Sequence, residues 1–217
     1  MAVITAIVPS ARKPGRFDLM VDGRCEATIS IDVVERLGLA AGRPYERVEA
    51  DVRREAALLA TYDRALNLLA LRARSARELR RQLVRKGEPP EQVDAAISRL
   101  TAAGFLDDAA FARQLTRSKA VGAGMSRRRI QQELWRRGVA RDVGDDAIAD
   151  VFADEALDEG AVVEQAARKK LRSLKNLDPE TRNRRLYAYL ARRGYDLDDI
   201  RRAMRAVAAS EIDTTGR

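Results

Sequence analysis

The sequence predicts a mainly α fold: a tandem array of three three-helix repeats, preceded by a small β-hairpin-containing region. Three features predict it. The pattern Leu-x3-Leu-x2-basic-Gly occurs at Leu79, Leu83, Lys86 and Gly87, again at Ile130, Leu134, Arg137 and Gly138, and again at Leu186, Leu190, Arg193 and Gly194. The apolar register continues past each glycine, with Ile97, Ile148 and Met204 ten residues on and Leu100, Val151 and Val207 thirteen residues on. A fixed period of this length is the signature of stacked helical units, and such arrays usually present a long surface to another macromolecule. Finally, 46% of residues are apolar but only 5% aromatic, so the core must be built mainly of Leu, Ala, Val and Ile, with the helix formers Ala and Leu prominent.

Residues 1–50 read as a small α+β cap. Val3–Val8 and Phe17–Val21 are short apolar or alternating runs, and Asp22-Gly23 is a strong hairpin signal between Phe17–Val21 and Arg24–Ile29. Ser30 is placed to cap a short helix carrying Val33, Val34 and Leu37, with Gly38 at its end. A sheet this small is marginal alone, so it is expected to pack on the helices that follow.

The first repeat is expected over 52–106. Leu59, Tyr62, Leu66 and Leu69 share one helix face. Ser75 and Glu78 fit a capping box that opens the second helix, and Gly87 closes it. Glu88-Pro89-Pro90 separates it from a third helix with Val93, Ile97 and Leu100, which stops at Gly104. The second repeat, 107–159, begins at Asp107-Asp108. Phe111 and Leu115 mark its first helix, Gly122 and Gly124 break that helix, Ile130 and Leu134 mark the second, and Ile148, Val151 and Phe152 the third. The third repeat, 160–210, has Val163, Ala167 and Leu171, then Asp178-Pro179 as a cap with proline at the first helical position, Leu186 and Leu190, and a last helix opened by Asp196. A frayed tail is expected at 211–217. The second helices are only about twelve residues long and need their neighbours to hold them.

Several chemistries are excluded. The chain has no histidine and one cysteine, Cys25. Zinc sites of the Cys/His type, an intramolecular disulfide and histidine acid–base catalysis therefore fall away. There is no phosphate loop of the Gly-x4-Gly-Lys-Ser/Thr type. Asp107-Asp108 and Asp145-Asp146 are paired acids in positions where helix caps are expected, and adjacent helix residues do not converge on one metal. No catalytic residue, metal ligand or cofactor is expected. The N-terminus lacks a basic-then-apolar signal and no run approaches a membrane span, so a soluble cytoplasmic protein is expected.

The net charge of +8 points to an acidic partner, and the basic residues repeat with the fold. The second helices carry Arg80, Arg81, Arg85 and Lys86 in the first repeat, Arg127, Arg128, Arg129, Arg136 and Arg137 in the second, and Arg184, Arg185, Arg192 and Arg193 in the third. Arg168, Lys169 and Lys170 join them from the preceding helix of the third repeat. Between Gly138 and Gly160 the balance reverses, with Arg141 alone against eight acids. The bland reading is a solvated helix face paired with those acids. Recurrence in all three units favours a basic stripe that binds a partner or nucleic acid. Trp135, beside Leu134, is expected to be buried between units. Tyr187 and Tyr189 lie two apart on a helix and cannot both face the core.

At these residues the chain resembles the RecX family of recombination regulators. The matching stretches are Arg72-Ala-Arg74-Ser75-Ala-Arg-Glu78-Leu79 with Leu83-x2-Lys86-Gly87; Gly104-Phe105-Leu106-Asp107-Asp108-Ala-Ala-Phe111-Ala112; Gly124-x5-Ile130-x2-Glu133-Leu134-x2-Arg137-Gly138-Val139; and Gly194-Tyr195-Asp196-x3-Ile200. The resemblance covers about 62–207. The N-terminal fifty residues resemble a variable extension that some members carry. The resemblance implies tandem three-helix repeats without chemistry of their own. It implies a protein that lodges in the groove of the RecA–DNA filament and restrains its ATPase, recombination and coprotease activities in DNA repair and the SOS response; a monomer is expected. A direct helical-repeat DNA binder, taking single- or double-stranded DNA, is the alternative. One departure is spacing: 56 residues separate Ile130 from Leu186, against 51 between Leu79 and Ile130.

Overall fold

The computed structural model describes the backbone of residues 1–215 and the side chains of residues 1–209. Among them are three strands and ten α-helices. The chain divides into two compact units. One comprises Met1–Ala73 with Glu78–Leu106, and the other Arg74–Arg77 with the chain from Asp107 onward.

In the first unit β1 (Ile4–Pro9), β2 (Phe17–Val21) and β3 (Arg24–Ile29) form an antiparallel sheet in that order. Val21 pairs with Arg24 across Asp22-Gly23, and both turn residues have positive φ, at 47° and 78°. This is the two-residue hairpin that the Asp-Gly pair specifies, its twist matched to the strands. One face of the sheet buries Ile4, Leu19, Val21 and Ile29 against Val33, Leu39, Tyr45, Val48 and Val52. The sheet is therefore not free-standing. Its core runs from α1 (Ile31–Arg36) into the start of α2 (Glu49–Leu71). Ser30 stands at the N-cap of α1 with extended backbone but makes no capping hydrogen bond, contrary to the expectation for it. Its side chain is buried instead.

The first repeat consists of α2, α3 (Ala76–Arg85) and α4 (Pro90–Ala102). Leu59, Tyr62, Leu79, Leu83, Val93 and Leu100 are all buried, as their helical spacing requires. Glu88, after α3, is buried too. It accepts a hydrogen bond from the Thr61 hydroxyl at 2.7 Å and pairs with Arg64. A buried carboxylate is tolerable only with such partners.

The second unit holds two more repeats. One is α5 (Asp108–Arg117), a π-helical turn at Ser118–Gly122, α6 (Arg127–Arg137) and α7 (Arg141–Asp154). The other is α8 (Glu159–Arg172), α9 (Pro179–Arg192) and α10 (Leu197–Thr215). In every repeat the first helix packs along the third: α2 on α4, α5 on α7, α8 on α10. Two separate apolar clusters result, one around Phe111, Ile130, Leu134 and Ile148, the other around Leu171, Leu186, Leu190 and Ile200. Side-chain caps at Asp107, Ser126, Asp158 and Asp178 satisfy the first amides of α5, α6, α8 and α9. Asp145 and Asp146 do not cap. They lie inside α7, whose first-turn acid is Asp142, because the helix begins at Arg141.

The same joint occurs twice within this unit. Gly138 and Gly194 end α6 and α9 with φ of 90° and 91°. The Ser75 hydroxyl donates to the carbonyl of Arg137, and the Ser126 amide donates to the carbonyl of Arg193 at 3.1 Å. A Cβ at Gly138 would meet Arg77 Cβ at 2.7 Å, and one at Gly194 would meet Arg129 Cβ at 2.6 Å. The serine-led start of one second helix is thus seated on the glycine turn that ends the next. The fit needs a residue with neither a left-handed penalty nor a side chain.

The tail expected at 211–217 falls where side chains are not described, and residues 216–217 lie outside the described backbone. Among the described residues no helix is long and apolar enough to cross a membrane.

Candidate partner-binding surface

The second helices are amphipathic because two leucine or isoleucine positions bury one face and arginine fills much of the rest. The sixteen basic positions singled out by sequence divide into three groups by what their side chains do.

Some are built into the fold. Arg193 is half-buried: its Nε donates to the Ala123 carbonyl at 2.6 Å and its guanidinium lies 3.7 Å from the centroid of the Tyr189 ring. Lys170 approaches the same ring at 5.5 Å, so α8 and α9 bring these two cations together over one tyrosine. Arg137 pairs with Glu133 at 3.2 Å and lies 5.9 Å from Phe111. Arg129 packs at Gly194, and its Nη1 reaches Gln132 at 3.5 Å. Arg128 donates to the Gly194 carbonyl at 3.1 Å, so it also serves the joint while remaining exposed.

Others are exposed and engaged within the chain, three of them with acids. Arg80 forks onto Asp94, holding that carboxyl below its ordinary value through the hydrogen bond. Arg127 covers Phe152 at 4.1 Å and sits 3.7 Å from Glu159. Arg168 pairs with Glu164 at 2.8 Å. Arg81 and Arg136 are exposed and engaged elsewhere in the chain, and Arg85 donates to the Arg81 carbonyl. Exposed pairs of this kind contribute little to stability, and a partner can exchange them.

The third group is Lys86 in the first unit and Lys169, Arg184, Arg185 and Arg192 in the second. All five are exposed, and none makes an ion pair among the described residues. Arg184, Arg185 and Arg192 share α9 with Tyr187, which is 43% exposed, while Tyr189 packs against the core. The two tyrosines divide as their spacing requires.

Burial would raise the Glu133 carboxyl, but hydrogen bonds and charge from Lys119 and Arg137 outweigh it and hold the carboxyl below the ordinary range. Lys119, on the π-helical turn, reaches it at 3.1 Å and so ties that turn to α6.

Trp135 overturns its expectation. It is 71% exposed, not buried between units. It borders a groove of about 300 Å3 between α6 and α7 that the sequence did not disclose. A neighbour of a buried leucine is turned about 100° around the helix and can face water.

Comparison with known proteins converges on one family. The family models described as the first, second and third three-helix domains of RecX match residues 62–100, 107–148 and 158–204. The curated protein "Regulatory protein RecX" of Mycobacterium ulcerans (strain Agy99) is 41% identical over 152 residues, 68% of this chain and 84% of the relative. That of Pelodictyon phaeoclathratiforme is 34% identical over 149 residues, 69% and 89% of the two chains. A solved structure, "Crystal structure of regulatory protein RecX", aligns with a TM-score of 0.71 over 92% of this chain and 97% of that one, at 22% identity. RecX from Lactobacillus salivarius aligns with a TM-score of 0.55 over 70% and 97%, at 16% identity. The two structures speak for the fold, and the domain matches with the sequence relatives establish descent: the chain belongs to the RecX family.

Proposed function

We propose that this chain is a non-enzymatic, cytoplasmic, monomeric regulator that binds the RecA recombinase filament. It restrains the filament's ATPase, recombination and coprotease activities in DNA repair. The observation that carries this reading is the ordered match of all three RecX domains to one chain, whose curated relatives bear the name of regulatory proteins. Its repeats, taken as 52–106, 107–159 and 160–210 behind the cap at 1–50, supply one basic second helix each. The contact residues are drawn from the sixteen basic positions, led by those without an ion pair: Lys86, Lys169, Arg184, Arg185 and Arg192.

The test is DNA-dependent ATP hydrolysis by cognate RecA. Substoichiometric protein is expected to suppress it, and no effect up to one copy per RecA subunit sinks the proposal. Direct DNA binding is the second reading, favoured by Arg184, Arg185 and Arg192, which α9 exposes. It predicts salt-sensitive binding to naked DNA, because phosphate contacts release counterions. Charge reversal at Arg184, Arg185 and Arg192 separates the two by asking whether naked-DNA binding, filament binding or both are lost. These positions serve better than Arg127, Arg128 and Arg129, of which Arg128 and Arg129 also hold the joint at Gly194.

A further inference from the structure

A small cavity of about 100 Å3 lies where α8, α9 and the loop after the π-helical turn meet. α8 contributes Gln165 and Lys169, one turn apart on the same side of the helix. α9 contributes Tyr189 and Arg193, also at i and i+4. Residues 121–124 of the loop close the remaining side.

The loop is fixed in place. Gly124 has φ of 58°, and a Cβ there would meet Ala166 Cβ at 2.9 Å, so the chain approaches α8 as closely as glycine allows. Its amide donates to the Ala120 carbonyl at 3.0 Å. Arg193 Nε donates to the Ala123 carbonyl at 2.6 Å, and the buried Tyr195 hydroxyl donates to the Gly124 carbonyl at 3.2 Å. The carbonyls of Ala120, Ala123 and Gly124 are thus all taken.

What is left over is donating and positive. Gln165 and Lys169 make no hydrogen bond or ion pair among the described residues. Of the five N–H groups of Arg193 only that on Nε has an acceptor among them. No acid lines the cavity among the described residues, and Lys170 brings a further cation to the Tyr189 ring at 5.5 Å. Elsewhere on α8 the charge is answered, as Arg168 is by Glu164. A cleft lined by one sign of charge gathers the opposite ion.

Size narrows the choice. Drug-sized ligands need roughly 300 Å3 or more, whereas this space admits one compact group. The guanidinium fork, the ammonium and the amide can each take a different oxygen of a terminal phosphate, which offers three acceptor oxygens and up to two charges. A phosphodiester carries a single charge and is tied to its strand on both sides.

We propose that this cavity binds a phosphate dianion, either the inorganic ion or a terminal phosphate group. The proposal goes beyond the regulatory reading and does not depend on it.

The test is a titration of the full, 15N-labelled chain at constant ionic strength with inorganic phosphate, glycerol 2-phosphate, dimethyl phosphate and acetate. Inorganic phosphate is expected to move the amide signals of Gly122, Ala123 and Gly124 saturably, and dimethyl phosphate and acetate to leave them in place. A matching response to glycerol 2-phosphate assigns the site to terminal phosphate groups as well, and its absence assigns it to the free ion. Gln165→Glu and Lys169→Gln, both at exposed positions, are each expected to weaken phosphate binding about tenfold. The chain has no histidine, so a fall in affinity on acidification through about pH 6 reports the ligand taking up its proton. Absence of saturable shifts, wild-type affinity in both variants, affinity independent of pH, or an equal response to acetate overturns the site. An equal response to dimethyl phosphate overturns the choice of a dianion. In each case the regulatory reading stands.

Discussion

Gly87 and Gly194 end equivalent helices in the same left-handed conformation, with φ of 90° and 91°, yet their surroundings differ. No described atom lies within 4 Å of a Cβ built on Gly87, whereas one built on Gly194 would meet Arg129 Cβ and the Ser126 hydroxyl below 3 Å. One sequence pattern thus carries one duty at the first site and two at the other. At Gly87 the glycine stops a helix. At Gly194, and likewise at Gly138, it also receives the start of the preceding second helix. A repeat motif reports local geometry faithfully, but its energetic weight depends on what docks against it.

The largest effect is expected at the occupied turns. Gly194→Ala and Gly138→Ala combine left-handed strain with a clash against side-chain atoms close to the backbone, and each should destabilise by about 3 kcal/mol in urea unfolding. Gly87→Ala should lose only the strain, about 1 kcal/mol. Equal losses at all three sites would erase the contrast. Next comes Ser126→Ala, which removes the side-chain cap on Arg129 N but keeps the backbone bond to Arg193, and should lose about 1 kcal/mol. A larger loss would mean that the hydroxyl itself carries the joint. Gly144→Ala, in an ordinary helical conformation with room for a methyl, should move the other way and stabilise by about 0.5–1 kcal/mol, read as a raised thermal midpoint. The smallest effect concerns Glu133. Its carboxyl ionises below the ordinary range in the folded protein. Its contribution is therefore present above the unfolded value and is lost as pH falls through the folded one. Glu133→Gln should make the decline of the thermal midpoint between neutral and acid pH shallower than in the wild type.

The repeat itself was legible because burial enforces it. Leu79, Leu83, Ile130, Leu134, Leu186 and Leu190 are all at or below 2% exposure, and only a large aliphatic side chain fills such positions without a cavity or a buried polar group. The hairpin was legible for a similarly local reason, the Asp-Gly pair. The surface was less so. Arg129 and Arg193 looked like their exposed neighbours in the sequence, but each folds back on a residue about sixty to seventy positions away, at Gly194 and Ala123. Such contacts depend on how repeats meet, which spacing alone does not encode. Trp135 follows Leu134 by about 100° around α6, which sets it at the edge of the buried face, where sequence does not decide between core and water. Asp145 and Asp146 lie inside α7 because it starts at Arg141, a few residues before the acids that a cap would use.

The joint at Gly194 has a practical consequence. It fixes the ends of α6 and α9, while the extra residues of the third repeat fall between Leu171 and Leu186. In that stretch the turn after α8 exposes Lys175 and Asn176 and anchors itself through Leu174. An exposed turn held by one buried leucine is suited to insertion. A fluorophore or short affinity tag placed between Lys175 and Asn176 would sit outside both the joint and the α6–α7 groove, giving a handle for following a single molecule of this protein without altering either surface.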